Sequence, residues 1–195
     1  MAIDPYLYPG SDCLRNHLEI RAVKELERVE AERTSSILAL LERSPMPGGY
    51  DVAHLKAFHR RIFGDIYDWA GELRTVPIAK GESLFALPEH IENYLTNVFE
   101  QLAAKEFLRG LERERFVDRL THYYAELNAA HPFREGNGRT ARAFLGQLAS
   151  EAGFRIAWER LDGERNNRAS EVSLRGNNEP LRKMLDLLVE PGGRN

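Results

Sequence analysis

Between Glu114 and Ala152 the chain carries two apolar stripes of helical period, separated by one glycine-bearing loop. Phe116, Leu120, Tyr124 and Leu127 recur at spacings of four, four and three, so they line one face of a helix that ends near Ala130. Ala141, Phe144, Leu145, Leu148 and Ala152 trace a second helix that starts near Gly138 and stops at Gly153. Two adjacent helices with one apolar face each must bury those faces together. The chain is therefore expected to be all-α, a helical bundle organised around the loop His131-Pro132-Phe133-Arg134-Glu135-Gly136-Asn137-Gly138-Arg139-Thr140-Ala141-Arg142.

That loop feeds a helix N-terminus, where free N–H groups and the helix dipole favour an anion. Gly136 and Gly138 let the backbone curl close around it. Arg139 and Arg142 lie three apart and are expected to share a face of the first turn. Two cations at a helix N-terminus oppose the dipole, so local helix stability does not explain them, whereas a bound polyphosphate does. Glu135 adds a hard oxygen ligand of the kind a magnesium–nucleotide complex uses. His131 brings the side chain whose unperturbed pKa suits proton transfer near neutrality. Taken singly, each residue has a bland reading: a capping histidine, turn glycines, solvated arginines. Taken together within twelve residues, they are the set that phosphoryl or nucleotidyl transfer needs.

The rest of the chain reads as further helices around this pair. Residues 1–12 form an extended or turned lead-in, with Tyr6 and Tyr8 as packing anchors. A helix is expected from Leu14 to Arg43, its mixed charges forming a solvated face. Ser44 to Gly49 is a break, and Asp51 caps a helix that carries Leu55, Phe58, Ile62 and Ile66 and ends at Gly71. His59 and Trp69 read as core residues of that helix. Arg74 to Ala86 changes period: Val76 and Ile78 alternate, Lys80-Gly81-Glu82-Ser83 turns, and Leu84 to Ala86 returns, which makes a short hairpin. Pro77 confines its strand to a sheet edge. Such an edge is either a connector or a surface that pairs with a target segment by β-augmentation. Ile91, Leu95, Val98 and Leu102 mark a helix from Pro88 to Leu108. Residues 163–179 are polar, and a last amphipathic helix starts at Pro180.

At 195 residues the chain reads as one domain, 1–195. Its formal net charge of −3 gives no electrostatic case for nucleic acid as a direct partner. The one cysteine, Cys13, has no internal disulfide partner, and no zinc-ligand cluster is visible. No apolar run is long enough to span a membrane and no signal core is present, so the chain reads as cytoplasmic.

The twelve-residue loop matches the whole motif His-Pro-Phe-x-(Asp/Glu)-Gly-Asn-(Gly/Lys)-Arg-x-x-Arg, and on it the chain is similar to the Fic family. Asp4-Pro5-Tyr6-Leu7-Tyr8-Pro9-Gly10 resembles the opening of the small bacterial Fic toxins. His59 to Arg74 resembles the helix leading into their active-site flap. The likeness runs to about residue 160. It implies a Fic-type helical bundle with one β-hairpin flap, at about 74–86, and transfer of AMP from ATP to a hydroxyl of a target protein. It implies His131 as the base and Glu135 as the magnesium ligand. Arg134, Gly136, Asn137, Gly138, Arg139 and Arg142 would bind nucleotide, with Val76, Ile78, Lys80, Gly81, Glu82 and Ser83 as the target-docking flap. ATP is then the substrate and Mg2+ the cofactor. Gly138 matches the adenylyl-transferring branch, because the phosphorylating branch carries lysine there.

Fic enzymes are inhibited by a helix bearing (Ser/Thr)-x-x-x-Glu-(Gly/Asn), whose glutamate pairs with the second motif arginine. No Ser or Thr of these 195 residues begins that pattern; Thr96 to Glu100 is followed by Gln101. The resemblance thus implies a toxin paired with a small antitoxin that supplies the helix in trans and contacts Arg142. The corresponding target is a type II topoisomerase, DNA gyrase or topoisomerase IV. Two other functions stay open at this point: a kinase or other nucleotide-dependent transferase on the same scaffold, and a non-catalytic module that binds an anion and a partner.

Overall fold

A computed structural model describes residues 4–80 and 83–193. Among them, helices α1 (Val23–Arg43), α2 (Val52–Phe63), α3 (Ile91–Ala104), α4 (Arg113–Ala130), α5 (Asn137–Glu151), α6 (Gly163–Leu174) and α7 (Glu179–Leu188) form the body of the fold. A hairpin of β1 (Ala79–Lys80) and β2 (Ser83–Leu84) lies between α2 and α3. Helices α4 and α5 make the central pair. Phe116, Leu120, Ala130, Phe144, Leu145 and Leu148 are fully buried on the stripes that their spacing marks out. Helix α4 packs against α3, α6 and α7, and α5 against α1 and α2.

Helix α1 starts nine residues later than its apolar pattern suggests, at Val23 rather than Leu14. Asn16 is the cause. Its Oδ1 accepts from the N–H groups of Leu18 and Ile20, both at 3.1 Å, and its Nδ2 donates to the carbonyls of Leu14 and Ile20. A short amide side chain that satisfies nearby backbone in this way competes with helix formation. The cap at Asp51 stands: its Oδ1 accepts the His54 N–H at 2.8 Å. Helix α2 ends at Phe63, short of Gly71. The Phe63 carbonyl then accepts from both Ile66 and Tyr67, and Gly71 takes φ +84° in the turns that follow.

The hairpin is shorter than expected. Ala79 pairs with Leu84 and Lys80 with Ser83, while Val76 and Ile78 precede the ladder. The turn residues Gly81 and Glu82 lie outside the described residues. One hairpin was expected, and a second two-stranded ladder is present: β3 (Phe154–Ile156) pairs antiparallel with β4 (Val189–Pro191). Three-residue strands far apart in sequence leave no periodic signal, and only their pairing makes them strands. The polar stretch after Leu161 is α6, capped by Asp162, whose Oδ1 accepts the Arg165 N–H. No helix of the described residues is long and apolar enough to cross a membrane.

Candidate active site

Helix α4 ends at His131, which takes the left-handed conformation (φ 41°, ψ 60°) and donates its N–H to the Leu127 carbonyl at 3.0 Å. A side chain in that region is strained, and the strain turns the chain sharply out of the helix. The chain then loops into α5. Asn137 closes the loop: its Oδ1 accepts the Phe133 N–H at 2.8 Å and its Nδ2 donates to the Phe133 carbonyl at 2.7 Å. Phe133 is fully buried and stacks on His59 at 3.9 Å between ring centroids. Gly136 caps α5 at φ +79°, where a Cβ would sit 2.3 Å from the Phe63 ring. Glycine is required there on both counts.

His59 holds the loop from below. Its Nδ1 accepts the Gly71 N–H at 2.8 Å, so the proton sits on Nε2, which donates to the Glu135 carbonyl at 3.0 Å. Burial lowers its pKa to about 4, against the smaller upward pull of the Glu135 carbonyl. His59 is the core residue its helix position suggests, and it also positions the loop.

Arg74 holds the loop from the flap side, and sequence reasoning gave it no role. It is 2 % exposed. Its Nε donates to the His131 carbonyl at 2.8 Å, and Nη1 to that of Val76 at 2.8 Å. Nη2 donates to the carbonyls of Ala86 and Ala130. One guanidinium thus ties both legs of the hairpin to the carbonyl end of α4, where the helix dipole favours a cation. No local pattern marks it: Arg74 stands in the mixed run Glu72-Leu73-Arg74-Thr75-Val76.

These supports open a cavity of about 250 Å³. On the loop side it is walled by His131, Glu135, Gly136, Asn137, Gly138 and Arg142. On the flap side it is closed by Phe85, whose ring stacks on the His131 imidazole at 3.9 Å and 18°. The far wall is α6, through Asn166, Asn167, Ser170 and Glu171. Tyr124 donates to Asn166 Oδ1 at 2.7 Å, and Asn128 to the Ser170 carbonyl at 3.1 Å, which fixes that wall to α4. Burial raises the Tyr124 pKa while neighbouring Arg142 opposes the rise. Sequence reasoning left α6 outside the site. Its richness in amide and hydroxyl side chains with few apolar ones was the available sign.

The two motif arginines part company. Three residues span 300° of helical turn, which leaves about 60° between them. Arg142 faces the cavity. Arg139 faces α1, where Nη2 donates to Glu30 and, at 3.2 Å, to Glu135 Oε1, and its guanidinium lies 4.8 Å from the Phe63 ring centroid. Arg134 lines the cavity but gives its Nε and Nη2 to Asp4 Oδ2, at 3.0 and 2.9 Å. Of the expected nucleotide-binding set, the structure therefore gathers Gly136, Asn137, Gly138 and Arg142 with His131, pairs Arg134 with the N-terminal segment and turns Arg139 away. Glu30 corrects the solvated face expected of α1: it is 6 % exposed and also accepts the Tyr67 hydroxyl.

Among the described residues no three His, Cys, Asp or Glu side chains converge on a metal position. Of the two carboxylates on the cavity wall, Glu135 is on the loop and 43 % exposed, while Glu171 lies across on α6 and pairs with Arg175 at 3.0 Å. That donor set fits an ion held by one carboxylate and substrate phosphates, the usual mode for magnesium with a nucleotide, and among the described residues it forms no all-protein cage.

Comparison with known proteins follows the same lines. The Fic/DOC family model matches residues 49–149. The probable protein adenylyltransferase Fic of Escherichia coli is 39 % identical over 97 % of this chain and 94 % of its own length. Protein adenylyltransferase VbhT of Bartonella schoenbuchensis is 42 % identical over 93 % of this chain, which spans only 38 % of that longer protein. Among solved structures, the N-terminal Fic domain of a putative cell filamentation protein from Bartonella quintana, with bound ADP, superposes with a TM-score of 0.91 at 30 % identity, covering 96 % of this chain and 95 % of that one. The BepC protein of Bartonella tribocorum, with bound AMPPNP, gives 0.90 at 25 % identity over 96 % and 97 % of the two chains.

Proposed function

Since this chain belongs to the Fic/DOC family, we propose that it is a protein adenylyltransferase, which moves AMP from ATP to a hydroxyl side chain of another protein. The observation that carries this reading is the shared cavity: the His131 imidazole, the Arg142 guanidinium and the N-terminus of α5 open onto the same space. His131 takes the proton of the incoming hydroxyl. The hydroxyl oxygen attacks the α-phosphorus, a new P–O bond forms, and the bond to pyrophosphate breaks with its electron pair leaving on the pyrophosphate oxygen. Arg142 and the free N–H groups of the first turn of α5 hold the leaving phosphates. Glu135 would hold magnesium together with the substrate phosphates, and the ion would supply positive charge against the leaving group. Asn137 acts by keeping the loop in shape, and Arg134 by joining it to the N-terminal segment.

The target docks on the flap. The edge of β1 and β2 offers backbone groups for β-augmentation, and Leu84 of β2 is 65 % exposed. Within these 195 residues no inhibitory (Ser/Thr)-x-x-x-Glu-(Gly/Asn) pattern occurs. We propose a cytoplasmic toxin held in check by an antitoxin helix that brings its glutamate to Arg142, with a type II topoisomerase as target by likeness to the small bacterial Fic toxins.

The test uses the purified chain, magnesium and a bacterial lysate, with ATP labelled at the α- or the γ-phosphate. Label from the α position only, lost in His131→Ala, is the expected result. Label from the γ position means a kinase, and none from either leaves a binding module. Adding DNA gyrase or topoisomerase IV in place of lysate tests the target, and adding a peptide that carries the inhibitory motif tests the antitoxin.

A further inference from the structure

Glu30 is the acid on α1 that the mixed-charge pattern hides. It sits against the motif loop with both carboxylate oxygens taken, Oε1 by Arg139 and Oε2 by the Tyr67 hydroxyl. Its side chain is 8 % exposed, whereas that of Glu135, which shares the same Arg139 Nη2, is 43 % exposed. A buried ion pair is a poor source of stability, since an apolar replacement of the same volume does as well. Its consequence here is electrostatic. Two carboxylates around one guanidinium leave the group with one net negative charge. The closer contact goes to Glu30, so Glu135 is only loosely paired at 3.2 Å, and its Oε1 also accepts the Gly136 N–H at 2.8 Å.

We propose that Glu30, held in place by Tyr67, is a positioning residue that draws Arg139 to the α1 side and so leaves the Glu135 carboxylate only loosely paired and able to hold nucleotide-bound magnesium. The proposal rests on the adenylyltransferase reading of this site. Without the Glu30 charge, Arg139 has one carboxylate left to pair with. The cluster becomes neutral, and a cation at Glu135 must displace a full guanidinium.

The experiment is calorimetric titration of the full chain with ADP, in EDTA and at graded magnesium, reading the magnesium concentration that gives half of the gain in ADP affinity. In Glu30→Gln this midpoint rises about tenfold, the effect of one lost charge about 6 Å from a divalent ion in a site screened nearly as well as water. ADP affinity in EDTA stays within about twofold. In the double variant Glu30→Gln/Arg139→Gln the midpoint returns to near the wild-type value, because the competing cation is gone and the negative charge is restored. A merely structural Glu30 gives no such rescue. Tyr67→Phe keeps the ring stacked on Trp69 at 4.3 Å, loses the hydroxyl tether and shifts the midpoint the same way by about twofold; it decides the question if Glu30→Gln does not fold. An unmoved midpoint in the variants, or no rescue in the double, overturns the proposal while the wild-type magnesium effect stands. A wild-type protein whose ADP affinity ignores magnesium removes the metal role of Glu135 and the proposal with it.

Discussion

At the scale of single residues, the site is built from side chains whose work is to hold backbone. Gly136 shows how little room there is. Its φ of +79° and the Phe63 ring 2.3 Å from any added Cβ both oppose a side chain. Gly136→Ala is expected to lower stability by about 1–3 kcal/mol, read as a drop in thermal midpoint. Gly138 is different: its Cβ would meet only the flexible end of Arg142 at 3.2 Å. Gly138→Ala therefore folds with a near-normal midpoint, and equal losses at the two glycines would refute this account. Arg74 is the stronger case. Arg74→Met keeps the aliphatic stem and strips the donors from four buried or half-buried carbonyls. The expected loss is about 3 kcal/mol or more. It should come with faster proteolytic cleavage within residues 76–86, the segment that Arg74 fastens to α4.

At the scale of elements, the hairpin and the motif loop form one working unit. Phe85 follows β2 directly and stacks on His131, so the flap sets the imidazole as well as offering an edge. Leu84 points the other way, into solvent. Leu84→Asp should leave ADP binding unchanged and cut target labelling by about tenfold or more, because a charge on the proposed docking surface must be desolvated; retained labelling would move the docking site elsewhere. How much of this was legible in the sequence follows from the range of each interaction. The stripes of α4 and α5 and the cap at Asp51 are local patterns, and the structure repeats them. The start of α1 was misplaced because Asn16 satisfies its neighbours' backbone more tightly than an apolar stripe reveals. The pairing of β3 with β4, the α6 wall and the contact of Glu30 with Arg139 depend on residues far apart in the chain, and no local period encodes them. The motif put His131 and Arg142 at the site, but it could not show that Arg139 and Arg134 are claimed by Glu30 and Asp4.

At the scale of the whole molecule, the core and the site share one support, so conditions that weaken one reach the other. His59 lies inside the packed core and carries the loop at the Glu135 carbonyl. Its neutral form is required, because Nδ1 faces the Gly71 N–H and has no place for a second proton. In the unfolded chain its pKa returns to about 6.5, while in the fold it is about 4. Above pH 6.5 both states are neutral and the contribution to stability is complete. As pH falls below 6.5 the unfolded chain takes up a proton that the folded one refuses, so stability declines, and the decline ends near pH 4, where the folded form protonates too. The slope reaches about 1.4 kcal/mol per pH unit, and the total is on the order of 3 kcal/mol. His54, also buried and lowered by burial, adds to the slope in the same direction. Urea unfolding from pH 7.5 down to 4.5 measures it. His59→Gln keeps a donor toward the Glu135 carbonyl and cannot titrate, so its stability should fall less steeply across the same window. An identical slope in wild type and variant would assign the acid sensitivity to other groups. A shallower slope would place the loop's backbone support and the acid limit of the fold in the same ring.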